Sequence, residues 1–548
     1  MHIIINNEEK IFDKPTRIID MFDNSDFKYM AARVNNRLRE LNYEIKEDST
    51  VELLDLKDDS VSKIYQATLR YIIVKATKNI YPKGRICFNY SVSRSIFASL
   101  SNIGHAFLQE DLDKITAAVS RIISLNLPIT RLELKKEAAI KYYKEEGYND
   151  KIKILKYRTE DTVHTYECDG FMDYMFGYML PSTGYIKEFS FKLYTPGFLI
   201  CYPRSECNGR LPEFTDERVF RTVLKEANIW ANTSKSGSIS QINEIIDAGN
   251  ALEFINICEA KHNRQFAELG ERIQSNIDNI KLICVAGPSS SGKTTFTNRL
   301  RIELKSRGIE PVMISMDNFY KPLNATPLDE DGKPDFENIE ALDLKLFDRT
   351  IFNLIQGEEV RLPIYEFKNR KREFSSPIKL KAHQPIMIEG IHGLNDLIAT
   401  SIGEEYKFKI YIAPLAQYNI DDQNPISISD IRLIRRMVRD FNFRGTGCEQ
   451  TLSMWSSVRR GEFKWIYPYQ NNADYVFNSE LSYELCVMKK HAIPLLEQVD
   501  DKSSNYISAN RLIKFLKYFN DISDKWIPCN SLLREFIGDS IFYTEDKK

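Results

Sequence analysis

The chain has 548 residues, 43% hydrophobic and 28% charged, a globular composition that excludes disorder, collagen-like repeats and coiled-coil arrays for most of its length. At typical domain sizes this length makes about three or four domains. Its 75 basic and 77 acidic residues leave a formal charge of -2, so no global field favours a nucleic acid and any such contact needs a local basic patch.

Nine cysteines are scattered with no CxxC pair, the pattern of free thiols in a reducing compartment. The start, MHIIINNEEK, lacks the basic n-region and long apolar core of a signal peptide. No apolar run approaches the ~18 residues a membrane span needs. The expectation is a soluble, cytoplasmic, multidomain protein.

Residues 1–60 read as a small α+β domain. HIIIN is a strand, PTRIIDMF a short helix opened by Pro15 and Thr16, Asn35-Asn36 a turn, and STVELLDL a strand. Residues 61–235 form a larger α+β unit. KIYQATLRYIIVKATKNIY has helical apolar spacing and ends before Pro82; EDLDKITAAVSRIISLN is a second amphipathic helix. KEFSFKLY and FLICY are strands near the turns PSTG and TPG. Residues 236–275 read as a helical linker. From 276 to 505, KLICVAG, PVMISM, KAHQPIMIEG and KFKIYIA are strands with helical stretches between them. That alternation predicts a multidomain α/β protein whose C-terminal half is a parallel sheet with helices on both faces. Residues 506–548 read as a helical tail.

The most specific motif is Gly287-Pro288-Ser289-Ser290-Ser291-Gly292-Lys293-Thr294, followed by Thr295. It fits GxxxxGK[ST], with a strand before it and a helix after. Successive backbone N–H groups of such a loop face inward to phosphate oxygens, and the helix N-terminus adds its positive end. Lys293 then reaches the β- and γ-phosphates, and the Thr294 hydroxyl is placed to ligate Mg²⁺. ATP and Mg²⁺ are the expected cofactors.

Two acids follow strands. Asp317, in SMDNFY, sits where ligands bind in an open parallel sheet. It is placed to accept a hydroxyl proton or to serve Mg²⁺, or else it caps a turn. Glu389, in IMIEGIHGL, has the form of a metal-side carboxylate, with a solvated strand end as the alternative. His392 beside it reads as structural. Further on, Arg432, Arg435, Arg436 and Arg439 fall at offsets 0, 3, 4 and 7, on one helical face. Ile431, Ile434, Met437, Val438 and Phe441 populate the other side, and Arg444 follows. The set reads either as a mobile lid over a transferring phosphate or as a solvated amphipathic helix.

Together GPSSSGKTT, MDNFYK, LPIYEF, IEGIHGL and RLIRRMVRD resemble the uridine kinase / phosphoribulokinase family of phosphate-loop kinases, over about 280–500. The resemblance implies that Asp317 takes the acceptor proton and that Thr294 and Glu389, with Asp317, serve Mg²⁺. It implies substrate contacts from Tyr320 and Tyr365, and lid or acceptor-site roles for Arg436, Arg439 and Arg444. Departures fall on the base-reading side. Glu337, in Phe336–Leu342, replaces a ribose-holding aspartate; Arg370 stands where a histidine is expected, and Met454 where a glutamine is expected. Residues 1–60 resemble a TGS domain, and 61–235 the second additional domain of threonyl-tRNA synthetases, through YQATLRYIIVKATKNIYP and YECDGFMDYMFGYMLPSTGYIKEFSFKLY. In that family an HxxxH pair and a later Cys and His form the editing site. Here those positions hold Ala67, Tyr71, Met175 and Met179, so the fold is expected without its editing chemistry.

Three functions fit. The first is an ATP-dependent kinase of a nucleoside, uridine or cytidine foremost. The second is a phosphoribulokinase-like or other small-metabolite kinase, with Arg370 and Arg372 holding an anionic acceptor. The third is an RNA-binding regulatory protein using the N-terminal modules, which the near-zero charge disfavours. No membrane partner is expected, and the expected assembly is a homo-oligomer.

Overall fold

The computed structural model describes residues 1–92, 94–329, 332–366, 371–415 and 418–542. Near the N-terminus, His2–Ile5 and Ser49–Leu54 run parallel at the middle of a five-stranded sheet. Its hairpin of Ala31–Val34 and Arg37–Arg39 turns on Asn35 and Asn36, both at positive φ (46° and 62°). Asparagine tolerates that conformation, so the Asn-Asn signal is a two-residue turn. PTRIIDMF is not a helix. Thr16–Arg17 pairs with Glu44–Ile45, and Ile18–Asp20 makes one 3-10 turn. Ile18 and Met21 are buried, one turn apart, and that anchors a turn without extending it.

Asp59–Ile80 is the long helix expected from its spacing, capped by the Asp58 side chain on the Ser60 N–H. It packs against Gln109–Ser124 and a four-stranded antiparallel sheet that includes Ser190–Tyr194 and Gly197–Cys201. One apolar cluster runs from Ile3 to Tyr202, so the first two modules share a core. Ala67, Tyr71, Met175 and Met179 all lie in it, buried.

In the C-terminal half, five parallel strands stand in the order Val312–Ser315, Ile386–Glu389, Leu282–Ala286, Lys407–Ala413, Tyr475–Asn478. Strands buried on both faces carry near-continuous apolar runs, and alternate residues point to opposite layers. Ile283, Val285, Ile410 and Ile412 face helices Ala251–Gln274, Lys293–Ser306 and Ile428–Arg444. Leu282, Cys284, Ile386 and Ile388 face Leu344–Ile355.

The segments expected as linker and tail are parts of this core. Ile239, Phe254, Phe266, Leu512, Leu516 and Phe536 join the same cluster as the central strand. Helix Arg218–Thr233 also departs from the expected division at 235, because Phe220 and Leu224 pack on Tyr411, Ala413 and Val476. Among the described residues, no helix is long and apolar enough to cross a membrane.

The two halves meet at a buried charge cluster. Lys151 lies 3.0 Å from Asp173 and 3.4 Å from Asp421, with all three side chains at most 1% exposed. The Asn424 amide donates to Asp421 and its carbonyl oxygen accepts from the Phe176 N–H. Removing one partner of a buried pair costs about 3 kcal/mol or more. D421A is therefore expected to lower the urea midpoint clearly, and D421N to lower it less. An unchanged midpoint in D421A would refute that role.

Candidate active site

Three parallel strands end at one place. Val285 and Ser315 are both in register with Glu389, so the phosphate loop, Asp317 and Glu389 emerge side by side at the carboxyl edge of the sheet. The chain crosses over on both sides of the central strand, which makes this the switch point where ligands bind in such sheets.

The loop is shaped by close approach. A Cβ on Gly287 would sit 2.1 Å from the Ile412 carbonyl oxygen, so only glycine fits there. Gly292 has φ 93° and starts the helix, and Ser290 has φ 59°. The Lys293 ammonium lies across the loop, donating to the carbonyls of Gly287 (2.9 Å) and Pro288 (3.1 Å). Burial lowers its pKa against the pull of Glu389, Glu535 and Asp317. The hydroxyls of Ser290, Ser291 and Thr295 are buried and lack hydrogen-bond partners. Unpaired hydroxyls in a glycine-rich loop at a helix N-terminus fit a site that a phosphate would complete.

Asp317 and Glu389 share one electrostatic problem. Burial raises the pKa of both. For Glu389 the neighbouring Asp317 charge adds to that, while Lys293 and the Ser315 hydroxyl, which donates at 3.0 Å, oppose it. Two close carboxylates without a cation disfavour full ionisation. Their donor set fits a divalent ion of the Mg²⁺ type, and Thr294 stands one residue beyond Lys293. Glu337 is the third acid, half-buried like the other two. Burial, then Glu462, pushes it up to about 7, and its Oε2 is unpartnered.

The arginine helix corrects the simple picture of a lid with one polar face. Arg432 and Arg435 are both 1% exposed and brace the loop from behind. Arg432 binds both oxygens of Glu462 and donates to the Ser289 carbonyl at 3.0 Å. Arg435 binds Glu484 and the Ser479 carbonyl. Arg436 reaches the front, donating to the Ser289 hydroxyl at 2.7 Å. Arg439 and Arg444 lie near Asp317 and act to lower its pKa. Arg439 is itself held by Asp440, while Arg444 is 55% exposed in its side chain. On the opposite side, Ile431, Ile434, Met437 and Val438 are buried but Phe441 is exposed.

On the acceptor side, Tyr320 and Tyr365 form an edge-to-face pair 6.1 Å apart, and the Tyr320 hydroxyl donates to the Phe336 carbonyl. Arg372 does not point to an acceptor. It is bonded to Asp343 and to the carbonyls of Phe319 and Tyr320, so it fixes the turn that carries Tyr320. Arg370 lies outside the described residues. His392 is 1% exposed, and burial pushes its imidazole down to about 3, which fits its structural reading. Sequence reasoning missed Glu462, Glu484, Ser315 and Glu535. Only Ser315, the first residue of SMDNFY, carried a local signal.

These features define a nucleotide-type phosphate loop on a parallel α/β sheet. Residues 282–483 match the model of the phosphoribulokinase / uridine kinase family. The N-terminal region is similar to threonine–tRNA ligases. It is 31% identical over 159 residues to that of Syntrophomonas wolfei, covering 29% of this chain and 25% of the ligase. With that of Petrotoga mobilis it is 33% identical over 162 residues, with the same coverages of 29% and 25%. The chain thus spans about a quarter of the length of these relatives. A solved structure described as a "Possible Uridine Kinase from Bacillus stearothermophilus" aligns with 38% of this chain and 99% of its own, at 18% identity and a TM-score of 0.23. Both resemblances drawn from the motifs are therefore matched, one in each half of the chain.

The loop geometry gives a direct test. G287A should lose ATP binding by at least ~100-fold, because the added methyl meets backbone that cannot swing away. Unchanged affinity, by titration calorimetry on folded protein, would refute the cradle.

Proposed function

We propose that the C-terminal half is an ATP-dependent kinase that transfers the γ-phosphoryl group to the 5′-hydroxyl of a nucleoside, uridine or cytidine foremost. The observation that carries this reading is the convergence of the loop, Asp317 and Glu389 at adjacent strand ends. The orphan hydroxyls of the loop and the two carboxyls, whose pKa values stay raised despite Lys293, fit MgATP. Thr294, Glu389 and Asp317 would hold Mg²⁺, which when bound offsets charge on the phosphate oxygens.

The protein groups then divide the work. Backbone N–H groups of Ser290 and Gly292–Thr295 hold the phosphates, since those of Ser289 and Ser291 are bonded to Glu462 and the Pro288 carbonyl, and Lys293 turns from its loop carbonyls to the transferred group. Asp317 orients the acceptor hydroxyl and takes its proton; its raised pKa suits a base that must bind that proton. Arg436, Arg439 and Arg444 line the approach and offset charge as the phosphoryl group moves. Tyr320 and Tyr365 offer aromatic faces to a base, with Glu337 near the sugar. The bonds already made by Arg372 disfavour the phosphorylated-acceptor alternative. A panel of nucleosides with MgATP and the full-length protein tests the substrate. Phosphorylation of uridine or cytidine, abolished in K293A, is expected; transfer to a different alcohol alone would keep the kinase and remove the nucleoside.

The pH dependence has a definite sign. A raised carboxyl pKa means that the ionised form is lost earlier as pH falls. The acid limb of kcat/KM should therefore lie above the ordinary carboxylate range, and D317N should abolish turnover. A flat profile down to about pH 4 would contradict the assignment.

One observation favours a second reading for the N-terminal half. A cleft of about 1890 Å³ between the halves is lined by 17 lysines and arginines against seven aspartates and glutamates. Arg39, Arg131, Arg158 and Lys514 crowd one part of it; burial, then Arg131 and Arg39, lowers the Lys514 pKa. Local charge of this kind suits a phosphodiester backbone, although the chain as a whole is near neutral. The full-length protein is expected to retain tRNA on filters, with affinity falling steeply from 50 to 200 mM salt. Retention without that slope would rule out phosphate contacts.

A further inference from the structure

The phosphate loop already holds an anion, and it belongs to the same chain. The Glu535 carboxylate accepts the Thr295 backbone N–H at 2.9 Å, across 240 residues of sequence. Thr295 is in the first turn of helix Lys293–Ser306, where N–H groups have no partner within the helix. Such a donor at a positive helix end is a phosphate-oxygen site. Glu535 also acts on the charges of the site, raising the pKa of both Lys293 and Glu389.

The contact is built rather than incidental. Glu535 lies in the short helix Arg534–Ile537 and is 8% exposed. Its neighbours are fastened on several sides. Leu532 packs at the loop, 3.3 Å from where a Cβ on Gly292 would stand. The Phe536 ring lies 5.1 Å from the Arg435 guanidinium, and the Phe536 carbonyl accepts from Asn442 at 3.0 Å. Arg534 ties the segment back to the carbonyls of Asp524 and Ile527. Meanwhile Lys293 is folded onto the loop carbonyls instead of reaching outward.

We propose that residues 531–538 form an autoinhibitory strap in which Glu535 occupies a phosphate subsite of the loop and competes with the nucleotide. This rests on the reading of the loop as a nucleotide site. A phosphate on the Thr295 N–H and a carboxylate on the same N–H exclude one another, by sterics and by like charge. Nucleotide must therefore displace Glu535, and its apparent affinity is reduced by the fraction of molecules with the strap closed. The same strap contacts the arginine helix through Asn442 and Arg435, so its release and the positions of Arg436, Arg439 and Arg444 are linked.

MgATP binding to full-length wild type and E535Q by calorimetry tests this. The amide keeps the shape and removes the charge, and affinity is expected to tighten about tenfold, as for a strap closed about nine-tenths of the time. Hydrogen exchange on the wild type gives a second readout that needs no variant: amides of 531–538 should exchange faster when MgATP is added. Equal affinity in both proteins with unchanged exchange would overturn the strap and leave the nucleotide site standing. Weaker binding in E535Q would also overturn it, making Glu535 a helper of the nucleotide. If neither protein binds ATP, the nucleotide site itself fails and the strap with it. If E535Q does not fold, L532A, which loosens the strap at Gly292, is expected to tighten ATP binding, and unchanged affinity there overturns the proposal.

Discussion

Two buried arginine–glutamate pairs set the conditions for the rest of the site. Arg432–Glu462 and Arg435–Glu484 lie directly behind the phosphate loop, with side chains at most 1% exposed. Desolvating four charges is costly, and only good geometry recovers that cost. Here the geometry does more than neutralise. With its carboxylate ligated, Arg432 still donates to the Ser289 carbonyl, and the Ser289 N–H faces Glu462 at 3.3 Å. The rear of the loop is thereby fixed, and its remaining polar groups are left for the front. A loop of three serines and two glycines would otherwise lose much conformational entropy on binding phosphate.

That fixed rear makes the front electrostatically tense. Asp317, Glu389 and Glu337 are half-buried acids, and the cations facing them are Lys293, Arg436, Arg439 and Arg444. Lys293 bonds to carbonyls, and Arg439 is held by its neighbour Asp440. So the acids are raised rather than lowered. Such an arrangement is poor for stability and suited to a ligand that brings its own charges, a divalent ion for the acids and phosphates for the bases. Glu535 gives one helix-end N–H a negative partner from within the chain, and its charge adds to those that raise Glu389.

Much of this was legible in the sequence because it was local. GPSSSGKTT fixes its own turn and helix start, and Asp317 and Glu389 each close an apolar strand, so their position followed from the rule for strand ends. Asn35-Asn36 announced its turn by chemistry alone. The arginine helix was half legible. Its spacing put four arginines together, but spacing cannot tell a solvated face from a buried one, and Arg432 and Arg435 are buried because glutamates 30 and 49 residues away meet them. PTRIIDMF failed for the opposite reason: its Pro15-Thr16 opening marks the start of a single turn as well as that of a helix. The supposed linker and tail were hidden by polarity. Their apolar residues, such as Phe254, Phe266 and Phe536, are sparse in sequence and converge only in the core.

The same convergence bears on why two unlike halves share one chain. The synthetase-like half contributes Lys151 and Asp173 to a cluster completed by Asp421, which lies just beyond the fourth sheet strand. From that strand the chain runs through Asp421 and Asn424 directly into the arginine helix at Ile428. Helix Arg218–Thr233 adds a second bridge, packing Phe220 on Tyr411 of the strand itself. The N-terminal half is therefore fastened to the segment that leads into the element carrying both the braces and the front arginines. The helix that braces the phosphate loop from behind is bonded near its C-terminal end to the Phe536 carbonyl through Asn442, and it begins seven residues after Asp421, which Lys151 of the N-terminal half holds. Between the residue held by the N-terminal half and the front arginines lie one short connection and one helix of 17 residues.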